Sequence, residues 1–226
     1  MSFKEQGYEI IKGAISKDVC KLLTEEFRMA KAIALDYNKH NPSYKGPDAL
    51  NPKFPFGDEM VQRSFSWYSP LCFEALSNSL IKSAVEKVLG EEVYPTYSYA
   101  RIYYYGAEMK KHTDRSSSEF SVSCCISVDA DNTDWFLEVE DRDKNTIKIE
   151  QEPGDAIMYM GNELAHWRKP YTGKEQINAF MFYVRKNGGK QELKYDTRPM
   201  LGLGPQSRTM TSEQQWEKYP SHSADQ

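Results

Sequence analysis

His112-Thr113-Asp114, answered by His166 much later in the chain, is the pattern with the most chemistry in it. Two imidazoles and one carboxylate on one face of a divalent ion leave the opposite positions open, the arrangement an O2-activating Fe(II) centre needs. The chain has four histidines, His40, His112, His166 and His222, and two of them fall in this pattern. A His-x-Asp triplet alone is as readily a surface turn with a hydrogen-bonded pair. The late histidine and the strands around both sites turn it into a candidate metal centre. A closed structural zinc site wants four nitrogen or sulfur ligands, and no cysteine or third histidine has suitable spacing here. Fe(II) is therefore favoured, with Mn(II) or Co(II) as inactive look-alikes.

The elements that must position these residues read as strands. Tyr97 to Tyr105 is aromatic and β-favouring and stops at Gly106, a turn signal. A loop from Ala107 to Lys111 follows; His112 and Asp114, two apart in an extended segment, then share a face. Further β-like runs are Ser121 to Val128, Trp135 to Glu140, Thr146 to Ile149, Ala156 to Met160, Leu164 to Arg168 and Ile177 to Val184. Asp141 to Asn145 reads as a hairpin turn, and Pro153-Gly154-Asp155 and Gly161-Asn162 as further turns. Short strands at hairpin spacing point to a jelly roll or barrel rather than to βαβ units. A triad with two ligands early and one late would meet inside the mouth of such a barrel.

Two helices precede the strands. Val19, Leu22, Leu23, Phe27, Ala30 and Ala34 recur at helical spacing after Ser16, an N-cap. Phe73, Leu76, Leu80, Ala84 and Val88 do the same, with Gly90 as the stop. Between them Tyr37 to Gly57 is rich in Asn, Pro, Lys and Gly, and a loop of that length is expected to be either a lid that orders on binding or an ordinary mobile segment. The expected organisation is one domain over 1–204, made of helical support (1–92), a β-barrel (93–186) and an extension (187–204). A polar surface tail with few anchors apart from Trp216 follows at 205–226.

At 226 residues and 39% hydrophobic, the chain can bury a full core. A net charge of -4 with no long basic block argues against nucleic-acid backbone binding. No stretch is apolar enough to span a membrane, and Met1 to Gln6 lacks the apolar core of a signal peptide. The cysteines are Cys20, Cys72, Cys124 and Cys125; the adjacent pair faces opposite ways on a strand, so a reduced, cytoplasmic setting is expected.

With these residues in view, the sequence resembles the Fe(II)/2-oxoglutarate-dependent oxygenases, in their prolyl-4-hydroxylase-like branch. The resemblance runs from about Tyr97 to Val184. It is carried by Arg101-Ile102-Tyr103-Tyr104-Tyr105-Gly106, His112-Thr113-Asp114-Arg115, Gly154-Asp155-Ala156-Ile157-Met158-Tyr159, His166-Trp167-Arg168-Lys169-Pro170 and Ile177 to Tyr183. Gln6-Gly7-Tyr8-Glu9-Ile10-Ile11-Lys12 and the helix after it are also typical, and the nearest likeness is to small microbial and phage members with His-Thr-Asp-Arg and His-Trp-Arg. The resemblance implies a mainly β fold with flanking helices, a double-stranded β-helix (jelly roll, cupin-like), with the metal held by His112, Asp114 and His166. It implies 2-oxoglutarate as co-substrate, O2 as oxidant and ascorbate as a candidate auxiliary reductant.

The resemblance also implies that Tyr103, nine residues before the first histidine, touches the co-substrate; a core aromatic on a strand is the equal alternative. Tyr104, of opposite parity, is expected to pack outward against the helices. One departure matters. Such enzymes carry Arg or Lys about ten residues after the last histidine to hold the distal carboxylate, and here that position is Gln176, after Glu175. A semi-buried dicarboxylate needs a cation. Arg168, two residues after His166, shares its face and is favoured over a surface salt-bridge role; Lys174, in the Thr172-Gly173-Lys174 turn, is the other candidate. Arg115 and Glu119 either contact substrate or pair with each other. Asn178 and Phe180 either line the pocket or fill core, while Trp135, Trp167 and Tyr159 are expected as packing.

The expected activity is hydroxylation of a small-molecule or peptide substrate coupled to oxidative decarboxylation of 2-oxoglutarate, releasing succinate and CO2. Two rivals stand beside it. One is a non-catalytic cupin-like protein that binds a small acid, encouraged by the neutral Gln176. The other is a metal-dependent hydrolase or isomerase on the same fold, separated by its indifference to O2.

Overall fold

The computed structural model describes residues 2–40, 60–68, 70–128 and 135–220. Its strands are β1 (Tyr8–Ile11), β2 (Ser64–Tyr68), β3 (Val93–Tyr104), β4 (Met109–His112), β5 (Phe120–Val128), β6 (Leu137–Glu140), β7 (Thr146–Ile149), β8 (Ala156–Tyr159), β9 (His166–Arg168) and β10 (Glu175–Arg185). They form a six-stranded sheet, order β1-β8-β5-β10-β3-β2, and a four-stranded sheet, order β4-β9-β6-β7. From β3 to β10 the chain passes back and forth between the sheets, with β6 and β7 a hairpin within the small one, and every pairing is antiparallel, which is the double-stranded β-helix. The large sheet is not confined to 93–186, since β1 and β2 join it from the N-terminal segment.

Parity sorts the two faces of this sheet. Along β3, Tyr97, Tyr99 and Tyr103 point to the interior: Tyr97 stacks on Phe182 at 4.2 Å and Tyr99 on Phe180 at 4.7 Å, both from β10. Tyr104 faces the helix side as its parity predicts, receiving the Lys31 ammonium on its hydroxyl and ring. The β6–β7 turn is closed by Asp141, whose carboxylate accepts the amides of Asp143 (2.9 Å) and Asn145 (2.8 Å). Met109–His112 was expected to lie largely in a loop, but pairs as β4 with β9.

Helix α1 (Phe3–Gln6) leads into β1, and α2 (Lys17–His40) covers the large sheet. Ser16 caps α2 by accepting the Val19 amide, and Cys20, Leu23, Phe27 and Ala34 are buried on its inner face. Leu22, expected on that face, is 68% exposed, because it lies one position around the helix from Leu23. The second predicted helix is two, α3 (Leu71–Ser77) and α4 (Leu80–Leu89), broken at Asn78-Ser79. The break rotates the apolar face: Phe73, Ile81 and Val85 are buried while Leu80 is half exposed. Gly90 ends α4 with a φ of 70°, donating to Glu86 O. The expected lid segment lies outside the described residues from 41 onward; Tyr37–His40 complete α2. Among the described residues no helix is long and apolar enough to cross a membrane.

The chain beyond β10 is more firmly anchored than its polar composition suggests. Arg198 and Glu74 form a buried ion pair, and Glu74 also accepts from Ser98 N, Ser98 Oγ and Gly202 N. In α5 (Ser212–Lys218) the anchor is Gln215, fully buried, while Trp216, the expected anchor, is 40% exposed.

Candidate metal centre

β4 and β9 are neighbours in the small sheet, and their register sets His112 directly opposite His166. The rings lie 4.4 Å apart between centroids. The chain leaves β4 at His112 without regular structure, and the Asp114 amide donates to Gly161 O at 2.7 Å. Asp114 Oδ1 then stands 3.6 Å from His112 Nε2 and 3.7 Å from His166 Nε2. The three ligand atoms all lie within 4.8 Å of one another. The expected triad is therefore assembled.

The tautomers are set by the backbone. His112 Nδ1 donates to Lys110 O at 2.8 Å and His166 Nδ1 to Leu164 O at 3.0 Å. A carbonyl only accepts, so each Nδ1 carries a proton and Nε2 is the ring atom turned toward Asp114. Such outer contacts orient metal-bound histidines. Electrostatics fit the same role. Burial pushes His166 down to about 4, against the Asp114 charge, so its ring is neutral at physiological pH. Burial also disfavours charge on His112, but the Asp114 hydrogen bond and charge and the Lys110 carbonyl leave it raised. Burial opposes ionisation of Asp114, and His166, His112 and Ser121 together hold it lowered, hence ionised. Two imidazoles and an ionised carboxylate are a donor set that suits a divalent transition metal.

Arg168 is on the same strand and the same face as His166, and is 1% exposed. Its guanidinium sits 4.6 Å from the Trp135 ring, donates to Trp135 O at 3.2 Å and to Gln151 Oε1 at 3.0 Å, and leaves Nε unpartnered. Among the described residues its side-chain hydrogen bonds go to a carbonyl and an amide oxygen and to no carboxylate, and burial lowers its pKa. A buried cation with an unpartnered donor has the chemistry to hold an anion. Tyr103, 1% exposed, packs edge-on against Trp135 at 4.8 Å, in the same cluster as Arg168. Gln176 is buried and neutral, its amide passed to Asn178 Oδ1 and from Asn178 to Ser123 Oγ. Lys174 instead lines an outer cleft with Arg28, Ser127, Val128 and Glu175.

Arg115 and Glu119 do not pair. Arg115 forms two hydrogen bonds to Asp196 (2.6 and 2.9 Å) and stacks 4.2 Å over Tyr97; Glu119 holds Arg185. Tyr159 and Trp135, expected as packing, both adjoin the site, Tyr159 with its ring 4.7 Å from His166. Sequence reasoning missed Gln151 and Ser121. Gln151 precedes a turn and carries no motif; Ser121 shares its strand parity with Ser123, so nothing local singles it out.

No family model matches the chain, and no curated protein does. Solved structures do. A Pseudomonas putida prolyl-4-hydroxylase is similar at 16% identity and a TM-score of 0.55, over 81% of this chain and 95% of that one. AviO1 from Streptomyces viridochromogenes Tue57 is similar at 16% identity and a TM-score of 0.59, over 82% and 92%. HygX from Streptomyces hygroscopicus, solved with nickel, 2-oxoglutarate and hygromycin B, gives 10% identity and a TM-score of 0.59, over 82% and 85%. The chain has the double-stranded β-helix fold that these proteins share.

Proposed function

We propose that this protein is an Fe(II)- and 2-oxoglutarate-dependent oxygenase that hydroxylates a C–H bond of a small-molecule or peptide substrate, releasing succinate and CO2. One observation carries the reading: His112 and His166, paired across β4 and β9, meet the ionised Asp114, and β9 also carries the buried Arg168, which has no ion-pair partner among the described residues. Bound there, Fe(II) would supply the activation of O2. His112, Asp114 and His166 hold it, and Arg168 receives the distal carboxylate of 2-oxoglutarate beside Tyr103. The Tyr97, Tyr99, Phe180 and Phe182 rings line the interior next to the triad and keep it dry. Arg115 borders this wall, its charge balanced by Asp196, whereas Glu119 serves Arg185. Four free cysteines, three of them buried, support a reducing, cytoplasmic setting.

The test is succinate formation from 2-oxoglutarate by the purified chain with Fe(II), ascorbate and a panel of substrates, with and without O2. His166→Ala and Asp114→Ala should abolish both turnover and metal retention. Activity that persists without O2 would identify a hydrolase or isomerase. Binding of metal and keto acid with no succinate under any condition would identify a small-acid binding protein.

A further inference from the structure

Asp114 has two carboxylate oxygens, and the fold treats them differently. Oδ1 faces both imidazoles, 3.6 Å from His112 Nε2 and 3.7 Å from His166 Nε2. Oδ2 accepts the Ser121 hydroxyl at 2.5 Å. Ser121 is fully buried inside β5, in register with Tyr159 of β8 and Phe182 of β10, so its hydroxyl is delivered from the most constrained part of the large sheet. From the other side, bare backbone closes over the contact. A Cβ built at Gly161 would fall 2.0 Å from Ser121 Oγ, 2.5 Å from Asp114 Oδ2 and 3.0 Å from Ser118 O. The same glycine accepts the Asp114 amide through its carbonyl at 2.7 Å. The aspartate is thus fixed at its backbone and at one oxygen, and only the other oxygen is presented to the histidines.

We propose that Ser121 is a positioning residue that makes Asp114 a one-oxygen metal ligand, with Gly161 supplying the space for it. The proposal rests on the iron reading above. Its consequence is a matter of counting. Held by His112, His166 and one oxygen of Asp114, a metal would keep positions open for a keto acid and O2. A carboxylate free to swing and bind through both oxygens would consume one of those positions. A hydroxyl bound to Oδ2 opposes the swing, since a charge-assisted hydrogen bond must break first.

The test uses the full chain and two readouts that need no substrate: Mn(II) affinity by titration calorimetry, and the visible spectrum of the Co(II)-loaded protein, whose intensity reports coordination number. Ser121→Ala should weaken Mn(II) binding by about ten- to a hundredfold, the range found for outer contacts to metal ligands, and should change the Co(II) spectrum. Ser121→Thr keeps the hydroxyl and should behave as wild type in both. An alanine variant with unchanged affinity and spectrum, or a folded threonine variant that behaves like alanine, would overturn the proposal. Asp114→Ala separates the two readings. If it loses metal while Ser121→Ala is unchanged, only the role of Ser121 fails; if it keeps metal, the iron reading itself fails.

Discussion

Arg115, the residue immediately after Asp114 of the candidate metal triad, is clamped by Asp196, a fully buried carboxylate from the segment beyond the last strand. Asp196 also receives Arg208 at 2.5 Å and the Gln215 amide at 3.1 Å. Tyr195, Asp196 and Thr197 all have positive φ, at 55°, 57° and 61°. Three successive non-glycine residues in this region cost of order 1 kcal/mol or more each, and persist only where their surroundings over-determine them. The clamp supplies that determination, and ties the chain end to the loop carrying Asp114.

Asp196→Asn should therefore destabilise the protein at neutral pH by about 3–5 kcal/mol, the cost of breaking a buried pair from one side. The pH dependence has a definite sign. Burial opposes ionisation of Asp196, but the Arg115 hydrogen bond and charge, with Arg208, hold its pKa lowered. A lowered carboxylate stabilises fully above its unfolded value of about 3.9, and that contribution disappears as pH falls through the folded value. Denaturant titrations between neutrality and pH 3 should show wild type losing stability on the acid side and the asparagine variant losing less.

Glu74 and Arg198 make a second buried tie, 3.3 Å apart, between α3 and the same terminal segment. Glu74→Gln and Arg198→Met should each cost about 3–5 kcal/mol, since each strands a buried charge. The double variant should be more stable than the sum of the two predicts, by a coupling of roughly 1–3 kcal/mol. Additive effects in the cycle would mean that the two side chains do not depend on each other.

Much of this molecule was legible before its structure. Strand parity set Tyr103 inward and Tyr104 outward, because a two-residue period on a half-covered sheet has only one reading. The triad was legible because ligand chemistry constrains residue type and spacing together. What was not legible depends on contacts far apart in sequence. Ser121 matters through Asp114 and Gly161, Gln151 through Arg168, and Asp196 through Arg115; a serine, a glutamine and an aspartate in isolation carry no such signal. The reversal of Gln215 and Trp216 has the same origin: the buried amide answers a carboxylate that only the fold brings to it. The break between α3 and α4 falls at Asn78-Ser79, where no proline or glycine announces it.

Gly154 offers a backbone prediction. Its φ is +100°, and a Cβ there would stand 2.6 Å from Ile15 O, while its own carbonyl accepts the Ile15 amide. Neither the conformation nor the neighbouring backbone can yield cheaply. Gly154→Ala should cost more than about 1 kcal/mol. A melting temperature equal to wild type would show that the β8 turn relaxes freely. Gly189→Ala, with nothing within 4 Å of the added Cβ, is the control for the conformational cost alone.

The last prediction concerns the anion-binding role proposed for Arg168. Its guanidinium is held flat beside Trp135 and by Gln151, and Nε has no partner. At the position where a basic residue was expected, Gln176 hands its amide to Asn178 and supplies no charge. Arg168→Ala should raise the 2-oxoglutarate requirement while leaving Mn(II) binding nearly intact, because it touches none of the triad. A charge-assisted contact to a carboxylate is worth about 1.5–3 kcal/mol, which corresponds to a weakening of roughly ten- to a hundredfold. Arg168→Lys should recover only part of the loss, since an ammonium cannot reproduce the planar fork. Lys174→Ala is the control: its side chain lines the outer cleft with Arg28, so co-substrate affinity should be unchanged. Loss of 2-oxoglutarate binding in Lys174→Ala, with Arg168→Ala like wild type, would transfer the anchor to the turn lysine.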